Sequence, residues 1–405
     1  MKVSTDKKLI DKFLTRGVEK IYPTEEALRK KLMSGERLKI YQGFDPTGKY
    51  LHVGHAMGIR ALRILQELGH EVIFLIGDFT AKIGDPDKDT TRDLLTDEEI
   101  EKNMAGWKSQ AGQLIDFSGE NAVRFKRNSE WLAKLRLEDI IKLLSNITVQ
   151  QMLTRDLFER RIKNEDPIRL HEFTYPLLQG YDGVAMGVDM EIGGADQTFN
   201  MLAGRDLSMA YLNKEKFVRT NKMMDAPDAR TMSKTKGNGI NLSDTADDMY
   251  GKAMSYPDNL ITMGLELLSD VSMDEIKNIE KEMKVGANPM DFKKMMAFEI
   301  VKIVKGESAA QKAQMNFINQ FSKHQLPEDI KEFKFNPPAG GDGMNIIDLL
   351  IKTNLVSSKG EGRRMVQQGG VKIDGETVDD IEKVVDLKKE FVLQKGKRGF
   401  ARVGK

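Results

Sequence analysis

Residues 38–58 read Leu-Lys-Ile-Tyr-Gln-Gly-Phe-Asp-Pro-Thr-Gly-Lys-Tyr-Leu-His-Val-Gly-His-Ala-Met-Gly. Leu38 and Ile40 alternate as in a buried strand, the cluster Asp45-Pro46-Thr47-Gly48 stops it, and a helix opens near His55 and runs to Gly69. The apolar run Val72-Ile73-Phe74-Leu75-Ile76 follows at once. The unit therefore closes as βαβ and predicts an α/β fold on a parallel sheet. Its loop and helix start lie at the carboxyl end of the first strand, where open parallel sheets bind ligands.

His52 and His55, two of only five histidines, sit one helical turn apart at that spot. Beside a helix N-terminus their N–H donors join backbone N–H groups that already favour an anion. Gly54 between them leaves space for a flat ring against the backbone. The chemistry that suits this is a nucleoside triphosphate, its base over the glycine and its phosphates against the imidazoles. A shared metal or two ordinary surface histidines are the alternatives, but no acidic or sulfur ligand accompanies the pair.

Composition narrows the classes. The 405 residues allow a full core and two or three domains; with 31% charged residues and a net charge of +1 there is no global polyanion-binding signal, so a nucleic-acid partner needs a local patch. No cysteine is present, which excludes disulfides, thiolate zinc sites and thiol nucleophiles. No apolar run reaches membrane-spanning length, and the expectation is a soluble cytoplasmic chain without a membrane partner.

Residues 6–36 read as two short amphipathic helices. After the second strand, Gly77-Asp78-Phe79-Thr80-Ala81-Lys82-Ile83-Gly84-Asp85-Pro86 predicts a loop with fixed turns that aims Thr80 and Asp85 toward the carboxyl edge. Asp85 suits a substrate ammonium or, more plainly, a turn cap. Lys88 and Arg92 follow on a polar segment able to fold over phosphates. Residues 97–170 read as a helical insertion. In the stretch 172–182, Tyr175, Gln179 and Asp182 are spaced four and three apart, on one helical face opposite Leu177 and Leu178. Three such groups make a poor core stripe, because each would need a buried partner; they suit a pocket for a small polar ligand or an exposed face. Val188 to Ile192 is strand-like and ends in Gly193-Gly194-Ala195-Asp196-Gln197. The basic loop Arg230-Thr231-Met232-Ser233-Lys234-Thr235 is able to bring Lys234 onto phosphates, and residues from Pro257 to about Phe321 are helical throughout. A Pro- and Gly-rich linker leads to a small tail module, where Arg363, Arg364, Lys372, Lys397 and Arg398 form a candidate RNA-binding face.

Together these motifs resemble the class I aminoacyl-tRNA synthetases. Tyr41-Gln42-Gly43-Phe44-Asp45-Pro46-Thr47 running into His52-Val53-Gly54-His55 is similar to that family's signature, with valine in place of the usual isoleucine. Gly84-Asp85-Pro86, the Tyr175/Gln179/Asp182 face and Gly193 to Gln197 narrow the resemblance to the bacterial-type tyrosyl-tRNA synthetases, and the tail resembles their alpha-L RNA-binding domain. The resemblance implies a Rossmann-like catalytic domain at 1–220 with its insertion at about 97–170. It further implies a signature loop and helical domain at 221–324, a linker at 325–343 and the RNA-binding α+β module at 344–405. It implies Tyr41 and Asp182 on the phenol of L-tyrosine, Asp85, Tyr175 and Gln179 on its ammonium, and Gln197 on its carboxylate. Thr47, His52, His55 and Lys234 would be catalytic, binding the phosphates of ATP, with Gly43, Asp45, Gly54 and Asp196 completing the ATP site. ATP enters as a substrate with Mg2+, no protein-bound metal is expected, tRNA(Tyr) accepts the tyrosyl group, and the family is homodimeric. A tryptophanyl-type sibling and a non-catalytic RNA-binding or splicing relative are the alternatives.

One position departs from the family pattern: Thr231 stands where the signature loop carries its first lysine, with Arg230 one residue earlier. Activation is expected to survive with a weaker clamp on pyrophosphate. Thr231→Lys should raise the single-turnover rate of adenylate formation; an unchanged or lower rate would sink this reading.

Overall fold

The computed structural model describes residues 2–86, 95–224, 239–322, 330–335, 343–387, 389–396 and 399–404. Lys88, Arg92, Arg230, Thr231, Lys234, Lys397 and Arg398 lie outside the described residues. The chain forms two compact units, Met1–Gln314 and Met315–Lys405. Among the described residues no helix is long and apolar enough to cross a membrane.

The first unit is built on strands β1 (Val18–Tyr22), β2 (Lys39–Phe44), β3 (Glu71–Ile76), β4 (Arg124–Arg127), β5 (Met190–Gly194) and β6 (Phe217–Asn221), in the order β1-β6-β5-β2-β3-β4. All neighbours are parallel except the edge pair β1 and β6. Strand β2 pairs with β3 along its whole length, from Lys39 with Glu71 to Phe44 with Ile76. Its pairing with β5 stops after Ile40 with Met190 and Tyr41 with Glu191. The carboxyl ends of β2 and β5 therefore part. They do so where the strand order changes direction, so a crevice opens at a topological switch point.

Helix α1 (Val53–Glu67) crosses from β2 to β3. It opens at Val53, two residues before the expected start, because His52 is its N-cap. Val53, Ala56, Ile59, Leu62 and Leu65 fall at three-residue steps and are all buried, each larger one contributing roughly 1.5–3 kcal/mol. Helix α2 (Leu137–Leu144) turns Leu143 inward. Helices α3 (Tyr175–Met186) and α4 (Thr198–Leu212) cover the crevice and cross at Gly180 and Gly204. A Cβ on Gly180 would lie 2.8 Å from the Cα of Gly204, so only glycine permits this approach. Helices Ile261–Leu268, Met273–Lys284 and Pro289–Lys305 follow as expected.

Two strands occupy segments whose sequence reads as helical. The stretch 6–36 holds two helices, Lys7–Thr15 and Glu25–Met33, with β1 between them, and β4 lies inside the expected insertion. Both are edge strands whose charged sequences, Val-Glu-Lys-Ile-Tyr and Arg-Phe-Lys-Arg, show no helical stripe and little alternation. The neighbouring strand supplies their order, which local pattern does not encode. Likewise Thr80–Ile83 is a single helical turn in the predicted loop.

The second unit carries β7 (Lys331–Lys334), β8 (Gly343–Asn345), β9 (Val371–Ile373), β10 (Glu376–Val378), β11 (Val384–Asp386), β12 (Phe391–Lys395) and β13 (Gly399–Gly404). Five form one sheet in the order β10-β9-β12-β13-β7, and β8 pairs with β11. Helices α5 (Ile346–Lys352) and α6 (Lys359–Gln367) precede β9; Ile346, Leu349, Leu350 and Val366 join Val371, Leu393 and Val403 in its core. Strand β7 falls inside the interval read as a linker: Lys331–Lys334 pair in parallel with Ala401 to Gly404.

His70, fully buried between α1 and β3, accepts the Leu38 backbone N–H on Nδ1 at 3.2 Å. Burial, with Arg37 nearby, lowers its pKa from 6.5 to about 4. The unfolded chain then takes up a proton near pH 6.5 that the folded chain refuses until about pH 4, so stability falls as pH drops through that window. Acidification from pH 7 to 5 should cost about 2 kcal/mol through this residue, read by urea unfolding, and His70→Gln should remove that part of the slope. An identical slope in the variant would refute the assignment.

Candidate active site

The crevice between β2 and β5 collects side chains from five segments. Tyr41 and Glu191 are register partners on neighbouring strands and so project from the same face of the sheet. The Tyr41 hydroxyl donates to the Gln179 carbonyl oxygen at 3.5 Å, with the Glu191 carboxylate close enough to act on it electrostatically. From α3, Tyr175 donates its hydroxyl to Asp45 Oδ2 at 2.8 Å, while Thr80 donates to Asp45 Oδ1 at 2.8 Å. Gly77 is required here, since a Cβ would stand 2.0 Å from Asp45 Oδ1. Asp182, one turn below Gln179, accepts from the Trp131 indole at 2.7 Å and from Asn128 Nδ2 at 3.2 Å.

A second row of hydrogen bonds runs along α3 and α4. Gln179 Nε2 donates to Glu191 Oε1 at 3.2 Å, and Asn200 Nδ2 donates to both Gln179 Oε1 and Gln197 Oε1 at 3.0 Å each. Gln197 Nε2 donates to Asp85 Oδ2 at 2.8 Å and to Asp196 Oδ2 at 3.3 Å. Buried cations stand at the two ends: Lys216 Nζ is 2.5 Å from Glu191 Oε2, and an Arg155 nitrogen is 4.0 Å from Asp85 Oδ1. The Arg155 guanidinium also lies over the rings of Phe158 and Phe199.

The electrostatics follow from enclosure. Burial, reinforced by Glu191 and Asp182, pushes the Tyr41 phenol well above its ordinary value; burial and Asp45 do the same to Tyr175, so both stay protonated. Burial raises Asp182 as well, with Trp131 and Asn128 pulling it partly back. The described crevice thus holds five carboxylates, Asp45, Asp85, Asp182, Glu191 and Asp196, against Lys216 and Arg155. That excess suits a cationic group on a small polar ligand.

At the mouth, His52 and His55 cap α1. Gly54 N–H donates to His52 Nδ1 at 3.2 Å and His52 N–H donates to His55 Nδ1 at 3.1 Å. Each Nδ1 is an acceptor, which leaves the proton of a neutral ring on Nε2. The rings are 3.9 Å apart, beside the loop in which the Thr47 N–H is held by the Asp45 carbonyl at 2.8 Å. The expected one-face spacing of Tyr175, Gln179 and Asp182 is realised, and α3 is buried on that face rather than exposed. Asp85 accepts from Gln197 across the crevice. Sequence reasoning missed Asn128, Trp131, Arg155, Asn200, Glu191 and Lys216. Their polarity on apolar segments was the only local signal, and their convergence depends on the sheet order. Among the described residues no group of three or more His, Cys, Asp or Glu side chains is placed to hold a metal. In the second unit Arg363 and Arg364 are exposed on α6, and Lys372 is half-buried on β9.

The chain is similar to known proteins over nearly its whole length. The family model "tRNA synthetases class I (W and Y)" matches residues 33–322, and "Tyrosine--tRNA ligase SYY-like C-terminal domain" matches 324–403. The chain is 44% identical over 392 residues to a tyrosine-tRNA ligase of Haemophilus ducreyi, covering 96% of both chains. It is 41% identical over 395 residues to a tyrosine-tRNA ligase of Thermotoga maritima, covering 97% of this chain and 96% of the relative. A solved tyrosyl-tRNA synthetase of Archaeoglobus fulgidus shares the fold at TM-score 0.59 and 23% identity, over 77% of this chain and 100% of that one.

The chain contains two tryptophans, so Trp107→Phe leaves Trp131 as the sole indole. In that background, emission should titrate with a midpoint well above the ordinary aspartate value near 4, because a raised pKa brings protonation of Asp182 to higher pH. Asp182→Asn should flatten the curve. A flat curve in the parent would contradict the burial argument.

Proposed function

The chain belongs to the class I tyrosyl-tRNA synthetases, and from that premise we propose how its residues divide the reaction. The enzyme activates L-tyrosine with ATP and transfers the tyrosyl group to tRNA(Tyr). The tryptophanyl alternative is not favoured, since relatives covering 96% of the chain are tyrosine-tRNA ligases.

The polar row on α3 at the parting of β2 and β5 carries the assignment. The phenol of tyrosine meets Tyr41 and Asp182; phenylalanine would forgo both hydrogen bonds while still displacing water from a dry pocket, a costly arrangement. The ammonium meets Asp85, Gln179 and Tyr175, whose hydroxyl hydrogen is given to Asp45 and whose oxygen is thereby left to accept. The amide hydrogens of Gln197, held by Asp85 and Asp196, turn to the carboxylate when substrate binds. The carboxylate oxygen attacks the α-phosphorus of ATP, supplied with Mg2+, and the bond to pyrophosphate breaks. Thr47, the Nε2–H groups of His52 and His55, and Lys234 donate to phosphate oxygens as charge builds on them. Gly54 lies under the adenine, Asp196 near the ribose, and Gly43 with Asp45 lines the nucleotide path. A terminal hydroxyl of tRNA then attacks the tyrosyl carbonyl and AMP leaves, with no covalent enzyme intermediate.

In this reading residues 1–220 carry the chemistry, 221–324 hold the signature loop and helical body, and 344–405 bind RNA through Arg363, Arg364, Lys372, Lys397 and Arg398, reached through the 325–343 stretch. The enzyme works in the cytoplasm, where its substrates are. It is also read as a homodimer. Leu137 and Ile141, 75% and 59% exposed, form with Leu144 an outward apolar stripe on α2 that a second copy would cover. Sedimentation at the mass of one chain would refute the dimer.

Tyrosine-dependent ATP–pyrophosphate exchange without tRNA tests the whole assignment. Exchange with tyrosine but neither phenylalanine nor tryptophan is expected; none from folded protein would overturn the enzymatic reading and favour RNA binding alone.

A further inference from the structure

Glu191 and Lys216 form an ion pair that is 2% and 0% exposed, with Oε2 to Nζ at 2.5 Å, directly behind the tyrosine-binding row. Lys216 reaches it past the α3/α4 crossing: a Cβ on Gly204 would lie 2.5 Å from its Nζ, so the glycine that lets the helices touch also admits the lysine. Stability alone is a poor reason for such a pair, because well-packed apolar residues in its place are often no less stable. Its other contacts are informative. Glu191 Oε1 takes the Gln179 amide at 3.2 Å, and its register partner Tyr41, whose hydroxyl donates to the Gln179 carbonyl oxygen at 3.5 Å, stands in the field of the same carboxylate.

A carboxylate with a lysine on one oxygen only accepts, so its contact with Gln179 and its field at Tyr41 fix which way both donors point. Gln179 must present Nε2 to Glu191 and Oε1 to the other side, where Asn200 Nδ2 holds it at 3.0 Å. An amide free to flip would offer a donor to a cationic substrate half of the time. We propose that the Glu191–Lys216 pair is the positioning element for amino-acid recognition, locking the Gln179 amide as an acceptor for the tyrosine ammonium and the Tyr41 hydroxyl in its direction toward the phenol. The inference rests on Gln179 and Tyr41 meeting tyrosine as assigned above. Neither Glu191 nor Lys216 touches the substrate.

The test uses the full chain in the exchange assay. Glu191→Gln combined with Lys216→Met removes both charges and leaves none unpaired. Glu191→Asp keeps the charge but is one methylene shorter, withdrawing the carboxylate from Gln179 and Tyr41. Either variant, once shown to melt cooperatively, should raise the KM for tyrosine about tenfold or more, leave the KM for ATP within about twofold, and lower the preference for tyrosine over phenylalanine by roughly tenfold. Native values for tyrosine in a folded variant would overturn the proposal, and equal losses for tyrosine and ATP would show a merely structural pair. Gln179→Ala in parallel separates the two levels. If it leaves the tyrosine KM unchanged, the site assignment itself fails; if it raises the KM while both pair variants do not, only the positioning role fails.

Discussion

Strands β2 and β5 are joined by two residue pairs and then separate, and the polar chemistry of the first unit is arranged around that separation. A parallel sheet that stayed zipped would bury Tyr41 and Glu191 against helices with no room for a ligand. Because the chain leaves β2 and β5 in opposite directions, no connection covers the gap. The α3/α4 pair closes it from one side, held at backbone contact by Gly180 and Gly204. The crevice is thus a consequence of strand order, and the side chains that fill it are those the strand ends and helix faces bring there.

Enclosure forces the groups in the crevice to satisfy one another. Each carboxylate only accepts, the Gln179, Gln197 and Asn128 amides donate and accept, and Asn200 donates twice, so the rows run Lys216, Glu191, Gln179, Asn200, Gln197, Asp85, Arg155 along one, Asp182, Asn128, Thr80, Asp45, Tyr175 along the other. A buried network of this kind is rigid because every member fixes its neighbour, and half-satisfied it would be worse than an apolar core. The same rigidity is what an enzyme needs to bind a small amino acid in one pose before an in-line displacement. Among the described residues of the crevice carboxylates outnumber cations, which suits a ligand that carries a positive charge.

The α1 end is assigned to the other reactant. His52 and His55 use Nδ1 to cap the helix and so direct Nε2–H outward, where the helix N-terminus already favours phosphate. Local folding and the proposed chemistry are one feature there: the residues that start the helix are those assigned to ATP. This is why the stretch 38–58 reads so clearly as sequence, while the amino-acid pocket does not.

Sequence alone determined what is local. Glycine and proline placement marked the turns, period-2 and period-3.6 apolar patterns marked β2, α1 and β3, and the four-and-three spacing put Tyr175, Gln179 and Asp182 on one face. The signature residues then gave the family. Edge strands β1 and β4, and β7 in the presumed linker, were not legible, because their order comes from a partner strand rather than from their own pattern. Glu191, Lys216, Asn200, Trp131, Asn128 and Arg155 were also invisible as site residues. They stand on several separate segments, Arg155 for example 70 positions (155 − 85) from its partner Asp85, and only the order of strands in the sheet and the closeness of two helices decide that they meet. Short-range geometry can be read from spacing; the pairing of distant buried charges is settled by the packing that excludes water from them.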